Sequence, residues 1–205
     1  MNIGILGTGV VGSNLGKALS RVGHRVMFSS RTPDSERIRS LLTDVGAGTQ
    51  AGSEDETVAF GEVIVVAIGW QNELERVLFN VDSWENKVII DATNRFGPIP
   101  PGSIGSAGED IAQLTGAPLL KAFNTIGAEH YLDPVFEGRA ATMFICGHDA
   151  AKEKALPLVT ALGFDPIDVG GLEQCALVEK MAELWVGLAL HQGYGRNIAF
   201  SLLKK

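Results

Sequence analysis

Short apolar runs alternate along this chain with segments in which apolar residues recur every three or four positions. The runs at 2–7 (NIGILG), 25–29 (RVMFS), 62–68 (EVIVVAI), 87–91 (KVIID), 118–123 (PLLKAF) and 141–146 (ATMFIC) read as strands. They are apolar on both faces, the pattern of strands covered by helices on each side of a parallel sheet. Between the first two runs, Val11, Leu15, Ala18 and Val22 share one helical face, and 34–42, 70–79, 107–114 and 149–162 also read as helices. Strand-helix alternation of this kind predicts right-handed crossovers and an α/β, doubly wound parallel sheet of the Rossmann type. The one long loop, 92–108, is too rich in proline and glycine for a regular helix, and loops of that length are commonly functional. Beyond Gly170-Gly171 the pattern predicts a single long helix with an apolar face of Leu177, Val178, Met181, Leu184, Trp185 and Leu188. The expected division is a dinucleotide-binding domain over 1–168 and a small C-terminal helical extension over 169–205, which packs either on that domain or on the other copy of a homodimer.

Composition narrows the partners. The chain has 205 residues, 45% of them hydrophobic, enough for one α/β domain with a substantial core plus a small appendage. A formal net charge of −7 argues against nucleic acid or an anionic membrane surface as partner. Met1 leads directly into a strand-like run with no basic or separate apolar leader, and LWVGLAL (184–190) is much shorter than a membrane span. The expectation is a cytoplasmic protein acting on a small molecule. Cys146 and Cys175 lack metal-ligand spacing, so no metal site is expected and both read as buried small hydrophobes.

The chemistry begins at GTGVVG. Gly7, Gly9 and Gly12 follow a strand and open a helix, the context in which this spacing binds a dinucleotide. Gly7 suits the tight turn, Gly9 the approach of a pyrophosphate, and Gly12 close packing of helix on strand, with the helix N-terminus facing the phosphates. An acidic residue ending the second strand would hold both ribose hydroxyls and repel a 2′-phosphate; here Ser30 and Arg31 stand instead, a hydroxyl donor and a guanidinium fork. NADP(H) is therefore the expected cofactor. Arg37 and Arg39 lie one to two helical turns further along and could add charge there, although a solvated helix face is the first reading of both. In an open parallel sheet the ligand crevice lies beyond the C-terminal strand ends, which puts Ile68, Trp70, Asn94, Ala122 and Asn124 along the nicotinamide half. Trp70 reads equally well as a pocket wall or as the start of the next helix.

The combination of GTGVVG, SSR after the second strand, DATN, KAFNTI, FICG and a closing GLE segment resembles the NADPH-dependent coenzyme F420 oxidoreductases and their relatives, among them the reductase domains of STEAP metalloreductases. The resemblance implies a Rossmann domain with a small helical C-terminal part, often dimeric. Its implied activity is hydride transfer between NADP(H) and a second cofactor stacked on the nicotinamide. It also implies that Thr8, Gly9, Val10 and Val11 contact the pyrophosphate, Ser30 and Arg31 the 2′-phosphate, and Ile68, Trp70 and Ala128 the rest of NADP. Three positions depart from the family pattern: Ser35 where some members carry lysine, Asn124 where they carry histidine, and Asn197 where an apolar contact to the deazaflavin is expected. These leave the acceptor open among F420, a flavin, a quinone and ferric iron.

Hydride transfer between two flat rings needs positioning more than a proton relay, so no catalytic side chain is required by this reading. A carbonyl or imine reduction, in the manner of β-hydroxyacid dehydrogenases and imine reductases, would need a proton donor. Lys121, His130 and Tyr131 are the candidates for that second reading. A third is a non-catalytic NADP(H)-sensing module.

Overall fold

The computed structural model describes residues 1–69, 74–99 and 101–205. Six strands, β1 (Asn2–Leu6), β2 (Arg25–Ser29), β3 (Thr49–Gly52), β4 (Val63–Val66), β5 (Val88–Asp91) and β6 (Leu119–Lys121), lie parallel in the order β3-β2-β1-β4-β5-β6. Their order reverses between β1 and β4, the switch point at which doubly wound sheets bind ligands. A short hairpin, β7 (Val135–Phe136) with β8 (Arg139–Ala140), then leads to β9 (Thr142–Gly147) and β10 (Asp165–Asp168). β9 joins β6 antiparallel, with Lys121 opposite Cys146, and β10 runs parallel to β9. The sheet is thus mostly parallel, with one antiparallel junction that the apolar runs did not reveal.

Alternating residues explain its two-sided burial. Ile3, Ile5, Val63, Val65 and Ile90 face a core built with α1 (Val10–Arg21), α2 (Glu36–Val45) and α6 (Asp149–Ala161). Leu6, Ile64, Val66 and Ile89 face the opposite core with α3 (Glu54–Phe60), α4 (Leu74–Phe79), α5 (Ala107–Thr115) and α7 (Cys175–Val186). β3 (TQAG) and β10 (DPID) escape a hydrophobicity reading because both are edge strands without an apolar run, and Pro166 is tolerated at such an edge. α3, short and acidic, was not expected from the sequence; a capping box starts it, in which the Ser53 hydroxyl accepts from the Glu56 amide while the Glu56 carboxylate accepts from the Ser53 amide.

The expected long C-terminal helix is broken into pieces. A 3-10 turn at Leu172–Gln174 precedes α7, and Gly187–His191 continue as a π-helix. Its apolar face divides: Val178 is buried in the core on the α3–α5 side of the sheet and Trp185 beneath the C-terminal tail, while Leu177 and Leu184 stay more than half exposed. The tail then folds back. Phe200 accepts a backbone bond from Thr142, the Trp185 indole donates to Ile198, and Arg196 forms a two-point pair with Glu129 at 2.6 and 2.8 Å. Among the described residues no helix is long and apolar enough to cross a membrane.

Close packing of α1 on β2 depends on Gly16, where an added Cβ would lie 2.2 Å from the Phe28 ring. Gly16→Val is expected to lower unfolding free energy by about 1–3 kcal/mol, the usual range for overpacking, read as an earlier urea midpoint at unchanged slope.

Candidate functional site

The C-terminal ends of β1, β4, β5 and β6 open on one edge of the sheet, and the glycine turn forms the wall of that edge at β1. Gly7 has φ near +120°, and a side chain there would run into the Ala67 carbonyl at 2.5 Å. A Cβ on Gly12 would fall 2.1 Å from the Gly7 carbonyl, so the turn and α1 touch without space for a methyl. Gly9 differs. Among the described residues nothing lies within 4 Å of where its side chain would begin. Gly9 is the N-cap of α1, brings no side chain to cap the first turn, and that turn holds no acidic residue. The amides of Val10, Val11 and Gly12 therefore end a helix dipole beneath open space, an arrangement suited to a pyrophosphate.

Thr8 sits at the rim of this turn. Its carbonyl accepts from the Ser13 hydroxyl, at 3.3 Å, and from Arg37 Nη2, at 2.7 Å; its hydroxyl accepts from the same Nη2 at 2.9 Å. Arg37, read from sequence as part of a solvated face, instead reaches from α2 across to the glycine turn. No spacing rule signals this, since the contact joins residues 29 positions apart. At the end of β2, the Ser30 amide donates to Gly52 and its hydroxyl accepts from the Thr32 amide at 3.1 Å, leaving the hydroxyl proton able to turn toward a ligand. Arg31 follows on the exposed side of that turn. Ser35 is occupied as N-cap of α2, accepting from Ile38.

On the nicotinamide half, Asn94 and Asn124 are brought together. Asn94 donates to the Asn124 carbonyl at 3.0 Å, and Asn124 Nδ2 donates to Asn94 Oδ1 at 2.9 Å. Ala122 is fully buried at the end of β6, and Ile68 is half-buried beyond β4. Ala128 opens a 3-10 turn whose carbonyl accepts from Asn14 of α1, so it faces the dinucleotide helix. Trp70 lies outside the described residues. Phe123 has a left-handed backbone, φ near +66°, held by a Tyr131 hydroxyl bond to its carbonyl at 2.6 Å and by edge contacts of its ring with Tyr131 and Phe164. That strained residue turns the chain immediately before Asn124.

The proposed proton donors are committed elsewhere. Lys121 is completely buried, and its amine donates to Asp91 Oδ2 at 2.7 Å, Glu179 Oε1 at 2.8 Å and the Thr93 carbonyl at 2.7 Å. Three donors and three acceptors leave none for a substrate. Burial pulls its pKa down, but Asp91 and Glu179 outweigh this and hold it above the ordinary lysine value. Asp91 also accepts from the Thr93 amide and hydroxyl, and Glu179 from the Gly108 amide at the start of α5. Burial pushes the Tyr131 phenol well above its usual range, and its proton is given to Phe123. His130 shares a bond with the Arg196 carbonyl and packs edge-on against Phe136. Lys121 and Tyr131 thus have no proton to give a substrate, whereas His130 is half-buried with one ring nitrogen engaged.

Comparison with known proteins agrees with this architecture. Residues 2–95 match the family of coenzyme F420-dependent NADP oxidoreductases. The F420-dependent NADP reductase of Methanothermobacter marburgensis is 26% identical over 92% of both chains. Metalloreductase STEAP3 of Rattus norvegicus is 29% identical over 87% of this chain, which spans only 36% of that larger protein. The crystal structure of a candidate F420-dependent NADP reductase from Arthrobacter sp. FB24 superposes over the full length of both chains with a TM-score of 0.80 at 24% identity. It shows that the two share a fold.

Lys121→Met would leave two carboxylates buried without their cation and should cost about 3–5 kcal/mol in urea unfolding. The deficit should shrink as pH falls toward the carboxylate range, where protonation removes the uncompensated charge. In the parent protein the sign is opposite: a raised lysine pKa stabilises at all pH below the unfolded value, and that stability is lost only as pH climbs through the folded one. A Lys121→Met protein of undiminished stability but without turnover would make the amine a proton donor after all.

Proposed function

We propose that this chain, whose residues 2–95 match the coenzyme F420-dependent NADP oxidoreductase family, is a member of it and moves a hydride between NADP(H) and a second, ring-bearing acceptor of the F420 or flavin type. The observation that carries the reading is the open space above Gly9, at the uncapped start of α1, beside a Gly7–Gly12 contact too tight for any side chain. A packing role accounts for two of the three glycines, and ligand approach accounts for the third.

In this reading the amides of Val10, Val11 and Gly12 hold the pyrophosphate, and Ser30 with Arg31 receive the 2′-phosphate by charge-assisted bonds. Ile68, Asn94, Ala122, Asn124 and Ala128 position the nicotinamide half, with Trp70 as a further proposed contact. The bound cofactor supplies the hydride from its dihydronicotinamide ring. The protein's part is orientation. Apolar Ile68, Ala122 and Ala128 exclude water, the Asn94–Asn124 pair braces two strand ends, and no side chain is required to carry a proton. The relation to the Methanothermobacter reductase along nearly its whole length supports a cofactor-to-cofactor transfer. The full commitment of Lys121 and Tyr131 supports it over a reaction that consumes a proton at a substrate carbonyl or imine.

Segment 169–205 is proposed as an extension of this one unit rather than a separate domain, supported by the packing of Cys175 and Val178 into the core beside the sheet and by the Thr142–Phe200 backbone bond. The reading also includes a cytoplasmic enzyme and a homodimer, the latter supported by the exposed Leu177 and Leu184 on the outer side of α7.

Anaerobic stopped-flow absorbance at 340 nm, mixing NADPH-loaded protein with oxidised F420, FMN or FAD in turn, is expected to show rapid oxidation by one of them. NADPH that binds but is oxidised by none would defeat the acceptor class. Arg31→Ala is expected to weaken NADPH binding by about tenfold or more while changing NADH binding little, since a lost charged hydrogen bond to phosphate is worth about 1.5–3 kcal/mol; equal losses on both would remove Arg31 from the 2′-phosphate.

A further inference from the structure

Among the described residues Arg37 forms no ion pair. Its guanidinium spans from the first turn of α2 to the glycine turn, where it donates to the carbonyl and hydroxyl of Thr8. In a chain of formal net charge −7, a side chain with about 2 kcal/mol of rotamer entropy is thus held by neutral oxygens alone. Neutral acceptors are roughly half as strong as anionic ones for such a donor. The geometry also says where an anion would come. β1 and β2 are neighbouring parallel strands, so Thr8 beyond one and Ser30 beyond the other border the same notch. Arg37 roofs that notch from the third side. Ser35, at the start of α2, carries no charge, and its hydroxyl is used as the helix cap.

We infer that Arg37 is a specificity-determining residue for the phosphate on the adenosine ribose: it releases Thr8 and takes that phosphate as its partner, supplying the cation that Ser35 lacks. The inference rests on the NADP(H) reading above and assigns the phosphate preference to two arginines on different elements, Arg31 after β2 and Arg37 on α2. Holding the guanidinium on Thr8 beforehand keeps it within one side-chain swing of the ligand, so less entropy is lost when the phosphate arrives.

Calorimetric titration of the whole protein with 2′,5′-ADP and with 5′-AMP tests this, because the two probes differ only in the phosphate at issue. For Arg37→Ala, affinity for 2′,5′-ADP is expected to fall about tenfold or more and affinity for 5′-AMP less than threefold. Arg37→Lys, which keeps the charge and loses the fork, is expected to fall between. Equal losses on both probes would give Arg37 a 5′-phosphate or loop-bracing role, and no loss on either would leave it a surface cation; either overturns the inference. Parent protein that does not prefer 2′,5′-ADP would instead defeat the NADP(H) reading itself. Arg37 is exposed and caps nothing, so matching circular dichroism and urea midpoints confirm that the variants compare binding rather than folding.

Discussion

One fully buried amine joins the two parts of this molecule. Lys121 at the end of β6 binds Asp91 from β5, the Thr93 carbonyl beyond it, and Glu179 from α7. Two carboxylates face one ammonium, and the surplus negative charge lies at the start of α5, where the Gly108 amide donates to Glu179 and the helix dipole is positive. Ion clusters of this kind add little over an apolar core of the same volume, but each member binds the others to their places because none can be left alone. Two site loops leave from its members: Asn94 stands three residues beyond Asp91, and Asn124 three beyond Lys121. The same contact seats α7 on the sheet, and Cys146 and Cys175 pack sulfur to sulfur beside it at 3.5 Å.

A different physics governs the opposite end of the crevice. Around GTGVVG the protein offers backbone amides, a helix dipole, the hydroxyls of Thr8 and Ser30 and two arginines, in a chain whose overall charge is negative. The sheet order makes this possible, since β1, β2 and β4 are neighbours at the switch point and place turns from distant parts of the sequence on one edge. Between the two ends, Phe123 stores strain in a left-handed backbone that Tyr131 and Phe164 hold in place. The loop over 92–106 is anchored at its base by the buried Arg95–Asp110 pair and by the Ile104 amide on the same carboxylate. Rigid anchoring of loops at strand ends is what a reaction governed by the distance between two rings demands.

How much of this was legible in the sequence follows from where the information lies. Six two-sided apolar runs named six strands, because burial on both faces leaves no polar alternation to confuse with a helix. Gly7, Gly9 and Gly12 named the turn, because a turn, a close approach and a close packing each exclude a side chain locally. Ser30 and Arg31 were readable for the same reason, being fixed one position after a strand. The edge strands β3 and β10 and the break in the C-terminal helix were not readable. An edge needs no apolar run, and the tail that covers Trp185 returns from residues 196–200.

Local chemistry in the sequence therefore determined the fold class and the glycine turn at the end of β1. Only the tertiary structure decided the roles of the charged and aromatic side chains. Lys121 could be a proton donor or an ion-pair member until Asp91 and Glu179, 30 and 58 residues away, were seen to surround it. Arg37 could be surface until Thr8 was found beneath it. The meaning of a charge lies in its partner, and partners across a doubly wound sheet are set by which strands lie side by side, a property that residue spacing along the chain does not carry.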